Sequence, residues 1–227
     1  MSLFSKKTFN KKTTKKNSND HPQLTPPTVD GYFRDLNQLI PRLPYPELDQ
    51  IISVILEAFD TGHTVFVFGN GGSAASASHM MCDMNKGTID PAQQRRLKTM
   101  ALTDNVPLIT AWGNDSHYEQ IFAEQLKNFA VGQDVAFAIS GSGNSPNVLL
   151  ALKAAREAGA TTVGLAGYQG GKMKALCNVC AVVPSDNMQM IEDMHHAMLH
   201  SMFTVVKDRI QSGVRQFLAA GAGQLEK

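Results

Sequence analysis

Residues 65–83 read VFVFGNGGSAASASHMMCD. A run of branched and aromatic residues stops at Gly69, and an alanine- and serine-rich segment follows that carries His79 and ends on Asp83. The first part has the composition of a buried strand and the second that of a helix, with a tight glycine turn between them. Glycine permits close backbone approach, so consecutive N–H groups and a helix N-terminus can converge on an anion at such a turn. Gly69, Gly71 and Ala74 also satisfy the letters G-x-G-x-x-A of dinucleotide-binding proteins. That motif calls for an acid about 20 residues on, at the end of the next strand. Asp104 comes later than that, so a nicotinamide cofactor is not expected.

The same alternation continues outward. TVFVFG, LKTMALT, DVAFAIS, TTVGLAG and VCAVVP read as five short strands. Between and after them, helices are expected over 73–86, near SHYEQIFAEQLKNFA, over PNVLLALKAAREAG, briefly at GKMKALC, and over QMIEDMHHAMLHSMFTVVKDRI. Short apolar strands alternating with helices imply an α/β protein whose mostly parallel sheet is covered on both faces. Two further helices precede the first strand, DGYFRDLNQLIPRL and ELDQIISVILEAFDTG, with Gly62 closing the second.

Residues 1–29 read as a disordered tail, because the first twenty carry six lysines and one acid and HPQLTPPT follows. Attraction of that tail to nucleic acid or an acidic membrane surface is the minor alternative to a solvated extension. Residues 30–212 form the expected domain, and 213–227 a weakly patterned C-terminal tail. Hydrophobic residues make up 43% and charged residues 18% of the 227, with a formal net charge of +1, as in ordinary globular proteins. No segment suits a secretory signal or a membrane span. The three cysteines are too few for a disulfide framework, so a reducing cytoplasm is expected. Cys177 and Cys180 form a C-x-x-C that runs into a strand, and they read as small buried thiols.

A second loop, SGSGNSPN at 140–147, also follows a strand and opens a helix, with Ser145 as a candidate N-cap and Pro146 at the first helical position. Ser140, Ser142 and Ser145 place three hydroxyls beside exposed backbone N–H groups, a set that suits the oxygens of a phosphomonoester. Ligands of open α/β sheets gather at the carboxyl ends of strands, where both loops should lie. A sugar phosphate fits, with GNGGS left for its hydroxyls.

His79 and Asp83 are four residues apart and share a helix face. The last helix supplies Glu192, Asp193, His195, His196 and His200, while Met190, Met194, Met198 and Met202 form its core stripe. Histidines and carboxylates at helical spacing suit zinc or a related divalent ion. Glu192 and His200, eight residues apart, are separated by about 12 Å along a straight helix. If both serve one ion, they are expected to come from different subunits.

GNGGSAASASH, WGNDSHYEQIF, ISGSGNSPNVLLALKAAREAG, GLAGYQGGKMKAL and IEDMHHAMLH, in that order over roughly residues 30–210, together resemble the sugar isomerase (SIS) domain, and within it the phosphoheptose isomerases. The resemblance implies a flavodoxin-like three-layer sandwich with a five-stranded parallel sheet. It also implies a homotetramer with active sites between subunits, and one zinc or other divalent ion per site. The implied reaction is the aldose–ketose isomerisation of sedoheptulose 7-phosphate to D-glycero-D-manno-heptose 7-phosphate, a step of heptose biosynthesis, through a metal-assisted enediol. Position by position, the resemblance puts substrate contacts at Asn70, Gly71, Gly72, Ser73, Asn114, Asp115 and Glu192, and phosphate contacts at Ser140, Gly141, Ser142 and Ser145. It puts metal ligands at His79, Asp83, Glu192 and His200, with Asp83 as catalytic base and His200 as its acid/base partner. Asp83 stands where the family has glutamate, Glu192 where it has glutamine, Gly87 where it has arginine, and Gln189 where it has aspartate. A non-catalytic SIS-domain protein that binds a sugar phosphate or a replication initiator is the alternative these departures leave open. No membrane or nucleic-acid partner is expected of the folded part.

Overall fold

The structure is a computed structural model that describes residues 28–89 and 95–222, with side chains as far as 212. All but the last two residues of the expected lysine-rich tail lie outside the described residues. The chain enters helix α1 (Val29–Leu39), where Thr28 Oγ1 accepts the Gly31 N–H at 3.0 Å. A short 3-10 turn at Ile40–Arg42 leads into α2 (Tyr45–Thr61), which ends on Gly62 in the left-handed region at φ 76°. The expected N-terminal helical pair is thus present, and its second helix stops where glycine was expected to stop it.

Strand β1 (Thr64–Gly69), α3 (Gly72–Gly87), β2 (Lys98–Ala101), α4 (Val106–Asp115), α5 (Ala123–Phe129) and β3 (Val135–Ser140) follow. After them come α6 (Pro146–Glu157), β4 (Thr161–Ala166), β5 (Val179–Val182) and α7 (Met188–Ala222). The five strands are parallel, in the order β2-β1-β3-β4-β5, the flavodoxin-like order that the resemblance implied.

Period-two alternation assigns the strand side chains to two cores. Val65, Val67, Val135, Phe137 and Ile139 join α1, α2, α3 and α7 on one face. Phe66, Phe68, Ala136 and Ala138 join α5 and α6 on the other, where Ile109 and Trp112 of α4 pack as well. Both faces of the central strands are therefore mostly apolar, as a sheet covered on both sides requires. Buried Asp134 pins the starts of β1 and β3 by accepting the N–H groups of Thr64 at 2.8 Å and Val131 at 2.9 Å. Among the described residues no helix is long and apolar enough to cross a membrane.

The elements depart from the sequence reading at three places. Helix α4 was not anticipated: its branched, aromatic composition and Pro107 mask it, but Asn105 caps it by accepting the Leu108 N–H. The helix expected at GKMKALC is only a 3-10 turn at Lys174–Leu176. α7 continues to Ala222, past the expected boundary at 212, and the helix-forming stretch VRQFLAA lies in that extension. Cys177 and Cys180 are free and half-buried against Gly164 at the β5 edge. The Cys177 thiol is pushed up by its hydrogen bond to Cys180 and by burial, as expected of a packed, unreactive thiol.

Gly69 sits where β1, β3 and α3 converge. A Cβ there would lie 2.6 Å from the Ile139 carbonyl oxygen and 2.7 Å from Ser73 Cβ. Backbone cannot yield to it cheaply, so Gly69→Ala is expected to cost about 1–3 kcal/mol of stability. Chemical denaturation, read as a lower midpoint at unchanged slope, measures this.

Candidate active site

In a 2-1-3-4-5 sheet the connections leaving β1 and β3 diverge, which opens a crevice at their carboxyl ends. The turn 70–73 and the loop 140–145 are those two connections. They are joined by a reciprocal side-chain pair: Asn70 Nδ2 donates to Asn147 Oδ1, and Asn147 Nδ2 donates to Asn70 Oδ1, each at 2.8 Å. Tyr118 Oη donates to the same Asn70 oxygen at 3.2 Å. The pair couples the turn before α3 to the first turn of α6, so both loops face one cleft.

The loop 140–145 is held from behind. Met173 N–H donates to the Gly143 carbonyl at 2.9 Å, Gly167 N–H to the Gly141 carbonyl at 2.8 Å, and Lys172 N–H to Asn144 Oδ1 at 3.0 Å. Ser145 occupies the N-cap position of α6 as expected, yet its hydroxyl makes no capping bond and instead lies 3.4 Å from Ser140 Oγ. Two hydroxyls side by side at the start of a twelve-residue helix are an arrangement that suits an anion. A cavity of about 150 Å³ opens over it, lined by Asn70, Ser73, Ser140, Ser142, Ser145 and Glu192 among others. A second cavity of about 310 Å³ continues from it past Gly72 and Ser73, with Glu192, His79, His195 and His196 in its wall. Glu192 belongs to both, and its carboxylate lies beside Gly72, where a Cβ would be 3.4 Å from Oε2.

Farther along the same helices, His79, Asp83 and His200 meet. His79 Nε2 and His200 Nε2 are 3.3 Å apart, and Asp83 Oδ2 lies 3.4 Å from the first and 3.7 Å from the second. His196 joins them, and the ligand nitrogens of the three histidines lie within 4.8 Å of one another. Nitrogen and carboxylate donors converging at these separations fit a divalent ion of the zinc type. Burial, then the His200 and His79 charges, pull the His196 imidazole below its ordinary value.

The structure therefore brings together, within one protomer, three of the four ligands implied by the resemblance. It places the fourth, Glu192, at the cleft instead. Asn114 and Asp115 are exposed at the end of α4, bonded to each other at 2.7 Å, and neither lines the two cavities. His196, Asn147, Tyr118 and Met188 were not singled out as site residues. The i,i+4 spacing of His196 and His200 was the available signal for the first, whereas only the tertiary contact reveals the others. On α7, Asp193 accepts a 2.6 Å bond from Tyr32 Oη, which pushes the phenol up to about 12 and ties α1 to the cavity wall.

The model of the SIS domain family matches residues 31–167, and the chain belongs to that family. Among its relatives, the phosphoheptose isomerase of Trichlorobacter lovleyi is 38% identical over 161 residues, covering 70% of this chain and 79% of the relative. That of Rhodospirillum rubrum is 38% identical over 167 residues, covering 74% and 88%. The solved phosphoheptose isomerase of Neisseria gonorrhoeae superposes with a TM-score of 0.73 at 28% identity, over 79% of this chain and 97% of the other. Its likeness is thus to the aldose–ketose isomerases of that family.

His195 is 1% exposed, and its Nε2 lies 3.0 Å from the Ala166 carbonyl. A carbonyl only accepts, so Nε2 carries the proton and the buried Nδ1, which has no partner, is bare. Burial therefore holds the imidazole below its ordinary value. A base with a depressed folded pKa lends full stability above its unfolded pKa of about 6.5 and loses it as pH falls toward the folded value. Stability measured by denaturant unfolding is expected to fall between about pH 7 and pH 5. His195→Gln should flatten part of that slope.

Proposed function

We propose that the protein interconverts a ketose phosphate and its aldose isomer, with sedoheptulose 7-phosphate and D-glycero-D-manno-heptose 7-phosphate as the pair. The observation that carries the reading is the continuity of the cleft. One end is an anion cradle of serine hydroxyls at the α6 N-terminus, and the other holds a carboxylate and histidines, with Ser73, Ile139 and Glu192 shared between the cavities. The phosphate sits against Ser140, Ser142 and Ser145, and the carbon chain runs past Ser73 toward His79.

Isomerisation moves a proton between adjacent carbons through a cis-enediol, so it needs a base over those carbons and stabilisation of the developing oxyanion. A divalent ion at the histidine cluster would supply a Lewis acid to the two oxygens. The sequence reading gave the base role to Asp83 and its partner role to His200. Neither lines the two cavities of a single protomer, but both meet His79, which lines the larger of them. Asp83 takes the carbon-bound proton in this reading, with His200 as its acid/base partner, and Glu192 lines the path of the carbon chain. The assembly that goes with it is a homotetramer, as the family resemblance implies, in the reducing cytoplasm that its three free thiols suit.

Asp83→Asn keeps shape and removes the base, so turnover is expected to drop by about 100-fold or more. NMR of sedoheptulose 7-phosphate in deuterated water reads this directly as loss of exchange at C1 and C2. Wild-type protein that binds the sugar and never exchanges those protons would be a binding module, and the isomerase reading would fall. Ser145→Ala is expected to raise KM about tenfold, the effect of losing one hydrogen bond to a charged group, with kcat little changed.

A further inference from the structure

We propose that His79, Asp83, His196 and His200 form a complete four-ligand site for a zinc-type ion within one protomer, with His196 in the place the family resemblance gives to Glu192. The inference rests on the isomerase reading only for what the ion would be used for; the ligand set stands on geometry.

Each helix contributes one i,i+4 pair, His79 with Asp83 from α3 and His196 with His200 from α7, and such pairs share a helix face. α3 packs against α7, and the two run alongside each other: Gly72 meets Glu192 near their starts, and Gly87 meets Phe203 farther on. The two pairs fall between those contacts and so face each other. Donors bonded at about 2.0–2.1 Å to a tetrahedral ion stand about 3.3–3.4 Å apart. His79 Nε2, His200 Nε2 and Asp83 Oδ2 already have separations of 3.3, 3.4 and 3.7 Å, one face of such a tetrahedron. His196 stands beside that face, near enough for a rotation of its side chain to bring a ring nitrogen to the fourth vertex. Its ring centroid is 4.8 Å from that of His79 and 4.6 Å from that of His200, and its ligand nitrogen lies within 4.8 Å of theirs.

Without a cation this arrangement is poorly satisfied. Two Nε2 atoms that face each other at 3.3 Å can share one proton in one hydrogen bond, and protonating all three rings would bring like charges together. A divalent ion takes every lone pair at once. Three imidazoles and one carboxylate favour zinc or cobalt over magnesium or calcium, which prefer all-oxygen shells. Glu192 cannot complete this set from its own helix: its carboxylate lies beside Gly72, seven residues before His79, or about 10 Å along α3.

The test uses full-length protein stripped with a chelator and titrated with Co²⁺, together with zinc competition against a chromophoric chelator. Wild type is expected to bind one cobalt per chain with the intense visible bands of four-coordinate geometry. His196→Ala should weaken zinc binding by about 100-fold, at or beyond the upper end of what losing an outer-shell partner costs. Glu192→Gln should leave it within about threefold. His196→Cys keeps a ligand of similar reach and should add a thiolate-to-cobalt charge-transfer band, which only direct ligation produces. Absence of stoichiometric cobalt in wild type overturns the proposal. So does unaltered affinity in His196→Ala, or loss in Glu192→Gln that matches or exceeds it. If His196→Ala fails to fold, the His196→Cys spectrum decides. None of these readouts involves turnover, so a metal site of this composition in a protein that isomerises nothing would refute the activity and leave the ligand set intact.

Discussion

The reciprocal amide pair between Asn70 and Asn147 is the contact on which the site depends. Asn70 sits in the turn just before α3 and Asn147 in the first turn of α6, and each satisfies the other's donor and acceptor at 2.8 Å in a part-buried setting. Removing either would leave a desolvated amide without its partner, a larger loss than that of one exposed hydrogen bond. The pair also sets the distance between the hydroxyl-bearing turn after β1 and the serine cradle after β3. Gly69 and Ile139, the residues that precede those loops, are already in register across the sheet. Backbone pairing thus brings the loops level, and the amide pair turns them toward one cleft.

The second organising contact is the packing of α3 alongside α7. Three layers of chemistry lie along it in order: Gly72 beside the Glu192 carboxylate, the four-residue cluster around His79, and Gly87 beneath the Phe203 ring. The last explains one departure from the family pattern. A Cβ at Gly87 would run into Phe203, so the space an arginine would need at its root is filled by an aromatic ring from α7. Gln189 replaces an expected aspartate at the start of α7, where its N–H is one of two that donate to Asn187 Oδ1. Nothing else in the structure accounts for that residue.

The alternation of apolar strands with helices was legible because period two and period 3.6 are written directly in the order of side chains. Val65 and Val67 fall in one core, Phe66 and Phe68 in the other. The serine loop was legible for a related reason: strand, small polar residues, proline and helix are consecutive, so the anion site is assembled locally. Helix α4 was not, because its branched and aromatic residues carry strand propensity. Packing of Ile109 and Trp112 against the second core overrides that propensity.

What the sequence determined alone is therefore the set of local units: a parallel three-layer α/β fold, two anion-suited loops, and histidine–carboxylate pairs one helical turn apart. What the tertiary structure decided is which of those pairs meet. His79 and Asp83 lie more than a hundred residues from His196 and His200, and no spacing rule relates the two helices. Their relative rotation and stagger come from side-chain packing between α3 and α7. That packing brings His196 into the cluster and leaves Glu192 facing the cleft, a partition of roles that depends on contacts across the fold rather than on the order of residues along the chain.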